Sequence, residues 1–176
     1  MKGPQNRIYD WLGQQAFATA INDYVNDREQ TKAILLGSPD GREFREVAPE
    51  NKKKIQLHVC DLCEDKSTEE YRNEFSKWYY YNANVLGRRF QKGFGENCNI
   101  VATRWLIHHL TTEQKYSFYK IAHKMLAPDG LLLVADWFVP NWGRGMKEYL
   151  ESCRKYYEYH EEFNLAPDRD WETVRS

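Results

Sequence analysis

No apolar run in this sequence is long enough to cross a bilayer. The opening residues, MKGPQNRIYDW, have no apolar core of the kind that marks a secretory signal. Long basic runs are missing too. The densest is Lys52-Lys53-Lys54, which reads as a solvated edge before a strand rather than a nucleic-acid footprint. Neither sign of charge dominates, with 25 Lys and Arg against 26 Asp and Glu. The 4 cysteines, Cys60, Cys63, Cys98 and Cys153, fall short of the density of a disulfide-stapled secreted scaffold. No internal repeat, low-complexity tract or domain linker interrupts the chain. The expectation is a soluble, cytoplasmic protein with no membrane and no nucleic acid among its partners. The residues that are present, 41% apolar and 15% aromatic, exclude disorder. At 176 residues they can build one core of ordinary size.

Periodicity supplies the elements. Ile8, Leu12, Ala16, Ala20, Tyr24 and Val25, with Trp11 and Phe17 beside them, predict a helix over residues 7 to 26. AILLG, residues 33 to 37, is a continuous apolar run that suits a strand buried on both faces. REFREVA suits about two helical turns, ended by Pro49. KIQLHVCDL alternates apolar and polar residues as a second strand. STEEYRNEFSKWYYYNANVLGRRF then reads as a helix. Ser67 and Glu70 supply a capping box, and Tyr71, Phe75, Trp78, Asn82, Val85 and Leu86 supply the stripe. NIVAT is the third strand. The next helix is capped by Thr111 with Gln114 and buries Phe118, Ile121, Ala122, Met125 and Leu126. It stops at APDG, with Gly130 as the turn residue. LLLVADWFV is the fourth strand, and residues 144 to 164 return to helical spacing with Met146, Leu150, Cys153, Tyr157 and His160 in a row.

Strands alternating with helices predict an α/β fold with a mostly parallel sheet and helices on both faces. Ligands of such sheets bind beyond the carboxyl ends of the strands. The residues there are Gly37 to Gly41, Asp61, Thr103 to Trp105, and Asp136 to Phe138.

The stretch NIVATRWLIHHLTTEQKYSFYKIAHKMLAPDGLLLVADWF resembles the second half of a class I S-adenosylmethionine-dependent methyltransferase, a Rossmann-like family. It has that family's parts in order: a strand, the His108-His109-Leu110 turn, a helix, Leu-Ala-Pro-Asp-Gly, and an apolar strand closed by Asp136. By this resemblance AILLGSPDG occupies the family's first glycine loop. The family writes an acid two residues before the first glycine, then Gly-x-Gly-x-Gly. Here Leu35 replaces the acid and Pro39 the middle glycine, while Gly37, Asp40 and Gly41 remain. Pro39 has no N–H to offer a ligand and adds a ring.

The resemblance implies S-adenosylmethionine as cofactor, held by Gly37, Ser38, Asp40, Gly41, Asp61 and Thr103, with Arg104 another contact on the same loop as Thr103. Asp61 either accepts from ribose hydroxyls or caps its strand. Its strand is the family's second or, one strand being apparently lost before Ile100, its third. His108 and His109 are either a base, since histidine titrates near neutrality, or a structural turn beside the cofactor. Asp136 is weaker as a catalytic group than as one that orients the pocket. Trp105 suits core packing, and the aromatics Trp137, Phe138 and Trp142 suit an acceptor pocket. Cys60-x-x-Cys63 lacks the second pair that zinc wants, so no metal is expected and both cysteines read as small buried side chains. The C-terminal helix is a lid, a dimer face, or a helix packed on the sheet.

The whole reads as a single methyltransferase-like domain over 1–176: a lead-in helix in 1–32, a Rossmann-like core in 33–139 and a helical segment in 140–176. The family's C-terminal antiparallel hairpin is missing after Val139, as in a fragment, a minimal version or a sheet completed by another subunit. An uncovered edge invites a homo-oligomer. The expected activity is methyl transfer to a small-molecule acceptor. The alternative is a catalytically silent methyltransferase-like domain that serves as a binding or assembly partner. An NAD-binding Rossmann reading is weaker, because the His-His-Leu and Pro-x-Gly stretch is not its signature.

Overall fold

The computed structural model describes residues 4–87, 90 and 97–136, with side chains from residue 14 onward. The expected helix over 144–164, the missing hairpin and the aromatics Trp137, Phe138 and Trp142 lie outside these residues. Within them a five-stranded sheet has the order β3-β2-β1-β4-β5. The strands are β1 (Thr31–Leu36), β2 (Ile55–Asp61), β3 (Lys77–Asn82), β4 (Cys98–Arg104) and β5 (Leu126–Ala135). Every adjacent pair is parallel. The helices are α1 (Pro4–Val25), α2 (Pro49–Lys52), α3 (Glu69–Arg72) and α4 (Thr112–Met125). The expected α/β class with a parallel Rossmann-like sheet is what the chain adopts.

Continuous apolar runs make β1 and β4 because both their faces are covered. On one face Ala33, Leu35, Leu57, Val59, Ile100 and Ala102 pack with Phe17, Ala18, Ile21 and Val25 of α1. On the other, Ile34, Leu36, Cys60 and Val101 pack with Phe118, Ala122 and Met125 of α4. Each large apolar side chain so buried contributes about 1.5–3 kcal/mol. Thr111 and Gln114 cap α4 reciprocally, as their spacing predicts. The buried stripe of α1 differs from the expected one: Ala16 is exposed and Ala20 half-buried, while Phe17 and Ala18 face the sheet.

Four further expectations are corrected. The stretch after Ser67 is not one helix. It turns helical over α3 and then enters β3, because Trp78-Tyr79-Tyr80-Tyr81 favours the pleated edge of a sheet. This supplies the strand that seemed lost, and it places Asp61 at the end of the second strand. The cap of α3 is Thr68, whose hydroxyl accepts from the Tyr71 N–H, rather than Ser67. Pro49 starts α2 instead of ending a helix, since its fixed φ suits the first helical position. Before it, REFREVA contains only a 3-10 turn, Arg42–Phe44.

Of the lysine run, Lys52 departs from a solvated edge, while Lys53 is exposed and Lys54 half-buried. Lys52 is 4% exposed and donates to Glu74 at 2.6 Å and to the Arg45 carbonyl at 2.7 Å. Lys53 and Lys54 donate to the carbonyls of Asn73 and Asn26. Three cations thereby tie loops at the amino end of the sheet.

His58 of β2 is buried with its ring stacked on Tyr79 at 4.5 Å, and its Nδ1 lies 3.0 Å from the Tyr81 hydroxyl. Burial, with Lys32 adding repulsion, pushes its pKa from 6.5 down to about 4. The unfolded chain therefore takes up a proton between these two values that the folded chain refuses. Stability is full above pH 6.5 and falls as pH drops toward 4, by up to about 3 kcal/mol from this group. The unfolding free energy from urea titration should fall between pH 7 and pH 4.5 by about 2.5 kcal/mol less in His58→Phe than in the natural chain.

Candidate cofactor-binding site

Parallel register decides which residues meet at the carboxyl edge. Leu36 stands opposite Cys60 on one side and Thr103 on the other. The next residues along are Gly37, Asp61 and Arg104. Asp61 pairs with Asn82, and Arg104 with Ala135. All six cofactor-binding residues expected from the sequence lie at this edge or in the loop rising from it.

The loop itself is strongly held. Gly37 has φ +79° and Gly41 φ +67°, a region that side chains rarely adopt. The Gly37 N–H donates to the Cys60 carbonyl at 2.8 Å. A Cβ on Gly37 would stand 3.0 Å from Leu106, and one on Gly41 only 2.4 Å from the Trp78 ring. Tyr71 donates its hydroxyl to the Gly41 carbonyl at 2.9 Å. The aromatic cluster Tyr71, Phe75 and Trp78 thus supports the loop from beneath. Pro39 also has a structural task, since its carbonyl accepts the Lys66 N–H at 2.8 Å and so fastens the loop after β2.

Three of the expected side chains are committed to protein partners. Ser38, 3% exposed, donates its hydroxyl to Glu43 at 2.5 Å. Asp40 accepts from Arg42 Nε at 3.0 Å and pairs with its Nη2 at 2.8 Å. Burial works to raise the Asp40 pKa, but Arg42 outweighs it and holds the carboxyl below its ordinary range. Thr103 is buried and donates to the Leu36 carbonyl at 2.9 Å, joining β4 to β1 where the loop begins. What Ser38, Asp40 and Gly41 present to a ligand is therefore chiefly backbone. Asp61 is half-buried, and its Oδ1 accepts the Cys63 N–H at 2.7 Å, a turn that fixes the carboxylate at the edge.

Beyond β4, Trp105 adopts φ +54°. For a bulky residue that geometry costs on the order of 1–3 kcal/mol. Its N–H donates to the Ala135 carbonyl at 2.9 Å, and the buried Arg104 guanidinium lies 4.2 Å over its ring. Trp105 is half-buried here, not the core residue expected.

The Asp136 side chain, 1% exposed, accepts the backbone N–H groups of Ile107 and His108 and pairs with His108 Nδ1. It thereby fixes the 3-10 turn Ile107–His109 over the end of β5. The His108 side chain is 30% exposed and its ring lies 3.9 Å from that of His109.

Cys60 and Cys63 part company. Cys60 is buried, burial pushes its thiol up to about 12, and its Sγ donates to the Ala83 carbonyl at 3.4 Å. Cys63 is exposed, against expectation. A cavity of about 420 Å³ opens between α3 and the amino end of β3, lined by Glu69, Arg72 and Trp78 among others, and by none of the expected site residues.

Sequence reasoning missed Glu43, Tyr71 and Trp78 as parts of this site. Glu43 looks like any exposed acid, and the sequence places both aromatics on one long helix, whereas Tyr71 lies on α3 and Trp78 on β3. Gly41→Ala should lower stability by about 2 kcal/mol through backbone strain and overlap with Trp78. Adding Trp78→Phe, which shortens the ring, should recover the overlap part. Urea unfolding of the two single variants and the double reads this directly.

No family model matches the chain. Over 149 residues, 82% of its length, it is 26% identical to the phosphoethanolamine N-methyltransferase of Plasmodium falciparum (isolate 3D7). It spans about half, 53%, of that relative. The N-methyltransferase NodS from Bradyrhizobium japonicum, solved with S-adenosyl-L-homocysteine, superposes with a TM-score of 0.55 at 15% identity, covering 76% of this chain and 62% of that one. An O-methyltransferase family protein from Burkholderia thailandensis gives 0.53 at 16% identity, covering 69% of this chain and 37% of that one. None of the described helices is long and apolar enough to cross a membrane. The chain thus has the Rossmann-like fold of these methyltransferases, and its sequence is similar to a methyltransferase.

Proposed function

We propose that the chain binds S-adenosylmethionine at the carboxyl edge of its sheet and transfers the methyl group to a small-molecule acceptor. The observation that carries this reading is the register that sets the left-handed turn at Gly37 beside Asp61 and Thr103. An acid ending the second strand, one strand over from a glycine turn, fits a ribose diol. In this reading the backbone of Gly37, Ser38, Asp40 and Gly41 cradles the cofactor. Asp61 accepts from its hydroxyls, and Thr103 keeps β1 and β4 together under it. Pro39 narrows the donor set, since its nitrogen has no hydrogen.

The cofactor, when bound, supplies an electrophilic methyl group on sulfur. The work left to the chain is to align an acceptor and exclude water. A base is needed only where the acceptor must lose a proton. For that role the geometry favours His108 over His109. Asp136 holds its Nδ1, which leaves Nε2 to accept a proton. Asp136 then acts as the group that orients it. Trp105 in its strained conformation borders the same edge and would wall the pocket. The phosphoethanolamine N-methyltransferase to which the sequence is similar acts on nitrogen by name, which supports an amine as the acceptor. The chain works in solution, with no membrane or nucleic acid, and pairs with a second copy through its sheet edge.

Calorimetry with S-adenosylhomocysteine tests the reading. The natural chain should bind at micromolar concentration. Asp61→Asn keeps the acceptor for the Cys63 N–H but removes the charge. It should weaken binding by about tenfold, the value of one charged hydrogen bond, with no change in urea midpoint. A folded chain that binds neither the methyl donor nor its product would contradict the proposal and favour the silent, partner-binding alternative.

A further inference from the structure

The acid that the loop lacks at position 35 has a counterpart elsewhere in the chain. Leu35 is fully buried in the sheet core and can offer a ligand nothing polar. Glu43 lies in the 3-10 turn that follows the loop, and it is 5% exposed. A buried carboxyl is costly unless it is hydrogen-bonded. Here Ser38, from the middle of the loop, donates to Glu43 Oε2 at 2.5 Å. The groups that act on Glu43 come from each element around it. Arg104 at the end of β4 favours its charge, while Asp40 in the loop opposes it. The Tyr71 hydroxyl of α3 lies close enough to feel it. Burial nevertheless dominates and raises its pKa. One carboxyl therefore joins the loop to the turn after it.

We propose that Glu43 is a positioning residue for the cofactor loop, holding Ser38 from below so that the backbone of Gly37–Gly41 keeps its ligand-accepting shape in place of the acid missing at Leu35. This rests on the methyl-donor reading above. Glu43 acts through Ser38 and touches no ligand itself, so the hydrogen bond to Ser38 is what matters. An amide oxygen at the same place can accept it equally well.

The experiment is calorimetry of the whole chain with S-adenosylhomocysteine, with a urea midpoint for each variant. Glu43→Leu and Ser38→Ala each remove the hydrogen bond from one side, and each should weaken binding by about tenfold. The double variant should be no weaker than the single ones, because both delete the same interaction. Glu43→Gln should bind within about threefold of the natural chain. Should Glu43→Leu fail to fold, Ser38→Ala and Glu43→Gln decide alone: loss in the first with retention in the second supports the role. Undiminished binding by Ser38→Ala or Glu43→Leu overturns it. So does loss in Glu43→Gln as deep as in Glu43→Leu, or additive losses in the double variant. These failures leave the methyl-donor reading standing. A natural chain that binds no S-adenosylhomocysteine overturns both.

Discussion

The parallel pairing of β1 with β2 and β4 is the constraint on which everything else in this molecule rests. Parallel strands all end on the same edge, and their register fixes which residues share it. Leu36 opposite Cys60 and Thr103 makes Gly37, Asp61 and Arg104 neighbours, although they are far apart in sequence. A slip of one residue would exchange the β1 side chains that pack with α1 for those that pack with α4, and would carry Gly37 out of line with Asp61 and Arg104. The same burial that drives folding therefore aligns the candidate site. The Gly37 N–H to the Cys60 carbonyl and the Thr103 hydroxyl to the Leu36 carbonyl lock that edge where the ladder stops.

Above this edge the loop keeps only part of the glycine pattern of the methyltransferases it resembles, and the structure gives its residues a physical setting. Gly41 makes room for the Trp78 ring, a requirement imposed by the protein's own packing. Pro39 offers its carbonyl to Lys66 and so couples the β1 loop to the β2 loop. Glu43, buried in the turn that follows, accepts the Ser38 hydroxyl from the loop. Aromatic support beneath and hydrogen bonds within make a loop that is shaped before any ligand arrives, and preorganisation of that kind lowers the entropy lost on binding.

Much of this was legible in the sequence because the central strands announce themselves. AILLG and NIVAT are continuous apolar runs, and KIQLHVCDL alternates. The Thr111–Gln114 pair marks the start of α4 without ambiguity. Edge strand β3 was not legible, because Tyr71, Phe75, Trp78 and Asn82 happen to recur at helical spacing while Tyr79 to Tyr81 need the context of a sheet edge to be read as a strand. Pro49 misled for a related reason: proline ends helices and also begins them. For Lys52 and Glu43 the sequence signal is absent altogether. Neither burial has a local pattern to announce it: Lys52 is buried against Glu74 from after α3, and Glu43 against Ser38 of the loop with the charge of Arg104 acting from the end of β4. The glycine turn and the acid after β2 could be picked out from spacing, but the partners holding them could not.

The central claim is that a methyl donor sits over the ends of β1, β2 and β4. Mapping backbone amide shifts by NMR while S-adenosylhomocysteine is titrated into the whole chain tests it most directly. The account expects the largest shifts in Gly37, Ser38, Asp40, Gly41, Asp61 and Trp105, saturating together along one binding curve. Shifts confined to the residues around the cavity between α3 and β3, or no saturable shifts at all in a folded sample, would contradict it.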